Sequence, residues 1–204
     1  MIATCAATSR ELASVADRPN HLYLLDAMGL AISVGTGIAQ AIKNTPRHPR
    51  RGHRRRRIPV DEPPARQSPP ATSPPENLVI ILLDNGVYAS TASIPTQAVT
   101  IDLGRFAESV DLKVLRAENT EELSLALKQT LTEDGPWFIH TRTEPGNEPD
   151  TKLLLIDPVT HGNRFQNWLT PTTHRVKVAT INLLPGPSGP GSAHLLKARE
   201  LQWK

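Results

Sequence analysis

The chain has 204 residues, a 38% apolar fraction, 19 prolines, a single cysteine and a formal net charge of +3. That length holds one hydrophobic core of ordinary size. Lone Cys5 excludes an internal disulfide and a Cys-based zinc cluster. The start lacks a basic end leading into an apolar run, and no stretch is apolar for long enough to span a bilayer. A cytoplasmic protein with no membrane partner is expected.

In chain order, "SRELASVAD" predicts a short helix with Ser9 as its cap, and "HLYLL" a short strand. "LAISVGTGIAQAI" from Leu30 to Ile42 reads as a buried helix whose small residues allow close backbone packing. Residues 1–43 form the amino-terminal part of the domain. The segment 44–75 differs from its surroundings: it is basic, then proline-rich, with almost nothing apolar to bury, so a disordered insert is expected there. From 76 to 150 regular structure returns. "NLVIILL" is a strand covered on both faces, "DLGRFAESV" a helix capped by Asp102, and "LKVLRA" a strand. "NTEELSLALKQTLTED" is a helix capped by Asn119 or Thr120, with Leu123, Leu125, Leu127 and Leu131 on its apolar surface, and "GPWFIHTRT" is a further strand. The order β-α-β-α-β gives an α/β fold, a mostly parallel sheet with helices on both faces. Residues 151–204 form a partly flexible extension, with a helical turn or more at "THGNRFQNWL" and an amphipathic helix at "AHLLKARELQW".

Ligands of open parallel sheets sit outside the carboxyl ends of the strands. Asp84, Asn85 and Gly86 follow "VIILL" there. An amide oxygen and a loop carbonyl are hard donors suited to Mg²⁺, although Asp, Asn and Gly also dominate plain turns.

These residues belong to a longer resemblance. "SRELASVADRPNHLYLLDAMGLAISVGTGIAQA", "PENLVIILLDNGVYASTASIPT", "DLGRFAES" and "GPWFIHTRTEPGN" together resemble the carboxyl-terminal, diphosphate-binding half of thiamine-diphosphate enzymes. The sulfopyruvate and phosphonopyruvate decarboxylase group, beta-type subunit, is the nearest match. The resemblance implies thiamine diphosphate and Mg²⁺ as cofactors, a small 2-oxo acid as substrate, and an alpha-type partner that supplies the pyrimidine-binding domain. It implies that Met28 wedges under the cofactor, that Gly29 lets the backbone approach the ring, and that Asn85 and the Val87 carbonyl ligate the metal. Gly86 completes the corner, and Tyr88 borders the cofactor cavity.

One departure is large. The family holds metal and diphosphate with a Gly-Asp-Gly motif ahead of a helix; at that place this chain has "GHRRRRIPVD", and Gly-Asp-Gly occurs nowhere in it. A reading-frame slip is the expected cause, with a genuine insertion as the alternative. Arg55 to Pro63, "RRRIPVDEP", can be written CGG CGA CGG ATC CCT GTT GAT GAA CCT. Read one base later and extended by one C, that DNA encodes Gly-Asp-Gly-Ser-Leu-Leu-Met-Asn-Leu, the string the family shows there. Losing that segment removes a central strand, and Val79 to Leu83 is then expected to lack a neighbour. Activity is expected to suffer, which leaves a catalytically inactive structural partner of an alpha-like subunit as an alternative. Nucleic-acid binding through "RHPRRGHRRRR" is less favoured, since no aromatics interleave the arginines. His140 reads as a sheet residue. Arg142, at a strand end, is either solvated charge or a contact for a sulfonate or phosphonate.

Overall fold

The computed structural model describes residues 1–25, 29–44, 74–88, 92–146, 148–170 and 177–183. Met28, the basic and proline-rich segment, and "AHLLKARELQW" lie outside the described residues.

The elements are β1 (Ile2–Ala3), α1 (Ala7–Ala16), β2 (Leu22–Tyr23), α2 (Ala31–Asn44), β3 (Leu78–Asp84), β4 (Val87–Tyr88) and β5 (Ile94–Pro95). A 3-10 turn (Gln97–Val99), α3 (Leu103–Glu108), β6 (Lys113–Ala117), α4 (Thr120–Thr132), β7 (Trp137–Arg142), α5 (Pro158–Leu169) and β8 (Val178–Leu183) follow. Six strands form one sheet in the order β2-β1-β8-β3-β7-β6, and every pairing in it is parallel. β4 and β5 make a separate antiparallel pair.

Residue chemistry explains the layers. All of β3 is buried, as a continuous apolar run with helices on both sides requires. One face packs Val79, Ile81, Leu83, Trp137 and Ile139 against Leu12 of α1 and Leu123, Ala126 and Leu127 of α4. The other packs Leu78, Ile80, Leu82 and Phe138 against Ala31 and Ala39 of α2 and Ala107 of α3. The α/β fold with a mostly parallel sheet is therefore present as the sequence predicts.

Caps follow the sequence in part. Asp102 Oδ1 accepts from the Gly104 and Arg105 N–H groups at 2.9 and 3.1 Å, and Asn119 Oδ1 accepts from Glu122 N–H at 2.9 Å. Each satisfies a donor that a helix start leaves unpaired. Ser9 is no cap: α1 begins earlier, at Ala7, and the buried Ser9 hydroxyl donates to the Thr4 carbonyl at 2.5 Å. On α4 the buried face is Leu123, Ala126, Leu127 and Thr130, while Leu125 and Leu131 are exposed. The helical period carries those two leucines round to the solvent side.

The expected vacancy beside β3 is filled. β8, drawn from beyond residue 150, pairs with β3 from Leu78↔Val178 to Leu83↔Leu183 and with β1 through Ile2↔Thr180 and Ala3↔Ile181. Its signal is weak in the sequence because the run is short and lies between Lys177 and a proline- and glycine-rich stretch, with Asn182 inside it. "THGNRFQNWL" lies within α5, where Asp157 Oδ1 accepts from Thr160 N–H at 2.7 Å and a proline occupies the first turn.

Candidate functional site

Three strands end side by side at the carboxyl edge of the sheet, each bringing a polar residue just past its apolar run. The register sets Asp84 of β3 opposite Arg142 of β7, and Arg116 of β6 opposite His140 of β7. Asp84 is fully buried. A carboxylate there needs partners, since an unpaired buried charge is costly. It has several: His140 Nε2 lies 2.8 Å from Oδ2, Arg142 Nη1 lies 3.2 Å from the same oxygen, and Gly86 N–H donates to Oδ1 at 3.0 Å.

The carboxylate fixes the histidine. With Nε2 facing Asp84, Nε2 carries the proton, and Nδ1 is left as an acceptor 3.4 Å from Arg116 Nη1. Arg116 Nη2 in turn donates to both oxygens of Asp102, at 2.7 and 2.9 Å. That guanidinium is the chief reason the Asp102 carboxyl is pulled down to about 2. A hydrogen-bonded chain, Asp84–His140–Arg116–Asp102, with a carboxylate at each end, thus spans the ends of three strands. Over it opens a cavity of about 310 Å³, lined by residues 98–101 with Asp102, Arg116, Glu118, His140 and Arg142. The guanidinium groups of Arg116 and Arg142 are the cationic donors of this lining, beside the Asp102 and Glu118 carboxylates, and Arg142 is half exposed.

The corner residues stand beside this edge. Asn85 is buried, and its Oδ1 accepts from Val87 N–H at 3.2 Å. Gly86 has φ +72°, a left-handed conformation that favours glycine and turns the chain from β3 into β4. Gly29 also has a positive φ, +78°, and nothing lies within 4 Å of where its Cβ would be. The turn into α2, and not crowding, is what requires glycine there. The Tyr88 hydroxyl donates to Gln97 Oε1 at 2.9 Å. The corner therefore gathers Asn85, Gly86, Val87 and Tyr88, while Met28 lies outside the described residues.

These residues do not by themselves complete a magnesium site. Asn85 and Val87 offer an amide and a carbonyl oxygen, the Asp84 carboxylate is engaged by His140 and Arg142, and no group of three His, Cys, Asp or Glu side chains capable of holding a metal occurs among the described residues. No helix among them is long and apolar enough to cross a membrane.

Sequence reasoning places the Asp84 corner, but it reads His140 only as a sheet residue and Asp102 only as a cap, and it passes over Arg116. A polar residue closing each of "VIILLD", "FIHTR" and "VLRA" is the available signal. Reading it needs the strand order, which brings the three ends together.

A parallel α/β sheet with a polar corner past its central strand has the layout of a cofactor-binding α/β domain. The comparisons narrow the class. No family model matches the chain. It is 37% identical over 155 residues to the sulfopyruvate decarboxylase subunit beta of Methanothermobacter thermautotrophicus, covering 73% of this chain and 75% of that one. It is 31% identical over 175 residues to the phosphonopyruvate decarboxylase of Streptomyces hygroscopicus, covering 83% of this chain and 41% of that protein. A sulfopyruvate decarboxylase subunit beta of Methanococcus maripaludis is 27% identical over 165 residues, 78% of this chain and 83% of that one. The chain belongs to the family of sulfopyruvate and phosphonopyruvate decarboxylases, thiamine-diphosphate-dependent enzymes, and is related to their beta-type subunit.

Proposed function

We propose that the chain is the beta-type subunit of a thiamine-diphosphate-dependent decarboxylase acting on a small 2-oxo acid with an anionic tail, such as sulfopyruvate or phosphonopyruvate, and that an alpha-type subunit completes it. The observation that carries this reading is the carboxyl edge itself. The Asp84-Asn85-Gly86 corner stands beside a cavity lined by His140, Arg116 and Arg142, so cofactor-facing and anion-facing residues share one end of the sheet. In this reading Gly29 and the corner residues Asn85 to Tyr88 border the cofactor, Met28 wedges beneath it, and Asn85 with the Val87 carbonyl contributes to a Mg²⁺ set whose carboxylate comes from elsewhere. The cofactor, when bound, supplies the electron sink for decarboxylation. The chain's own residues orient the acid: Asp84 holds His140 and Arg142 in place, and the half-exposed Arg142 guanidinium receives the sulfonate or phosphonate.

The test is co-purification with an alpha-type subunit, followed by assay of carbon dioxide release from sulfopyruvate and phosphonopyruvate with thiamine diphosphate and Mg²⁺. Turnover by the complex is the expected result. A stable complex without turnover favours a second reading, a structural partner. The lack of a Gly-Asp-Gly motif in the sequence supports that alternative. No complex at all contradicts both.

A further inference from the structure

β8 is last in chain order among the described strands, yet it lies in the middle of the sheet. Without it, β2 and β1 would share no ladder with β3, β7 and β6. Its ends are tied on both sides: Thr4 N–H donates to the Ile181 carbonyl at 3.0 Å, and Val178 N–H to the Asn77 carbonyl at 2.8 Å. Val178, Ala179, Thr180 and Ile181 are all buried. Ala179 and Ile181 join the cluster under α1 and α4, and Val178 joins the cluster under α2.

The fit to α2 is specific. Gly35 lies over Thr180, and a Cβ on Gly35 would fall within the van der Waals radius of Thr180 Cγ2. The next atoms, Thr180 Cβ and Ile2 Cδ1, would be at ordinary contact, 3.5 and 3.6 Å. Gly35 is thus a notch for one methyl group of β8. The Thr180 hydroxyl is buried without a hydrogen-bond partner, so methyl packing, and not polar pairing, seats this side chain.

A β-α-β order would place the strand after α2 next to β1, and β8 stands in that place. We infer that β8 is a substitute strand: the chain closes its sheet from its own carboxyl-terminal side, and the closed sheet stands without cofactor. Its standing as a substitute rests on the proposed family reading in one respect, the expectation from the resemblance that a central strand leads to the Gly-Asp-Gly motif. Residues 184–199, which follow β8, contain no Asp or Glu in the sequence. β8 itself, Val178–Leu183, carries no carboxylate to the ligand edge between β1 and β3. Any segment bringing one on a strand in that position must first displace β8.

The test uses the full chain and needs neither substrate nor partner, so its outcome is independent of the turnover assay. Thermal unfolding is followed for the unaltered chain, Gly35→Ala, Thr180→Ala and the double variant, each with and without thiamine diphosphate and Mg²⁺. Overpacking in Gly35→Ala is expected to lower Tm by about 4–8 °C. Thr180→Ala alone changes it less, and the double variant recovers most of the loss, with or without cofactor. If Gly35→Ala is recovered only unfolded, a folded double variant supports the notch and an unfolded one overturns it. A harmless Gly35→Ala, or a loss that Thr180→Ala fails to relieve, would each overturn the inference.

Discussion

The two flanks of β3 are built on opposite principles. On one side β7 pairs over six residues, Val79↔Trp137 to Asp84↔Arg142, and the ladder ends in charge: Asp84 grips His140 and Arg142. On the other, β8 pairs over six residues, Leu78↔Val178 to Leu83↔Leu183, and its described contacts with the helices are apolar, with a methyl group seated in a glycine notch. Both flanks are long-range in sequence, β8 the more so. The β7 flank ends in polar registration, whereas β8 is seated mainly by apolar fit, with Lys177 just before it donating to the Thr130 and Glu133 carbonyls of the α4 end. A parallel ladder asks only for an extended segment with apolar or small residues on both faces, so a position in the sheet can be filled from a distant part of the chain.

The largest expected effect breaks the polar flank. Asp84→Ala leaves His140 without its orienting carboxylate and an arginine without its pair, and should cost about 3 kcal/mol of unfolding free energy, read by urea denaturation. A loss under about 1 kcal/mol would mean that the edge is held by backbone pairing and not by this network.

A graded effect comes from acid, away from both flanks. At the β2 edge, His21 is buried beside the Tyr23 hydroxyl, and His161 of α5 accepts the Tyr23 N–H at Nε2, 2.8 Å away. Burial first, and then the positive amino terminus, lowers His21 from 6.5 to about 4. Burial and Arg164 lower His161 as well. Both groups are neutral in the folded and unfolded chain above the ordinary histidine range. As pH falls from 6.5 towards 4, the unfolded chain takes up protons that folded His21 refuses, so stability declines across that window. Thermal melts across it should show a falling Tm, relieved in His21→Gln. A Tm that is flat there would contradict the burial of His21.

A smaller effect sharpens the functional side of the comparison. In the assembled complex, Arg142→Gln should raise KM for sulfopyruvate or phosphonopyruvate about tenfold, about 1.4 kcal/mol, with kcat less affected. An unchanged KM would remove Arg142 from anion recognition. The smallest effect lies in α4, which supports the β7 flank. Asn119→Ala removes the acceptor for Glu122 N–H and should cost about 1 kcal/mol of stability. Chemical denaturation of the variant checks it.

The same contrast explains what can be read from the sequence. β3, β6, β7 and their helices are legible because periodicity, caps and turn residues all act within a few positions: "NLVIILL", Asp102 and Asn119 declare themselves. The Asp84 corner is legible for the same reason. The wider polar edge is not, because Arg116, His140 and Asp102 meet only through strand order. β8 is hidden more deeply. Nothing local in "VATINL" marks it as central, and what selects it is the shape left between β1, β3 and Gly35. Ser9 shows the converse error: a residue suited to capping is used instead to tie α1 back to Thr4.

Hydrogen exchange of the full chain, followed peptide by peptide with and without thiamine diphosphate and Mg²⁺, tests most directly whether this family's sheet is here closed by β8. The account predicts that amides of 178–183 are protected as strongly as those of 78–84, and that cofactor leaves that protection unchanged. Rapid exchange across 178–183, with protection gained on cofactor addition in the segment between α2 and β3, would contradict it.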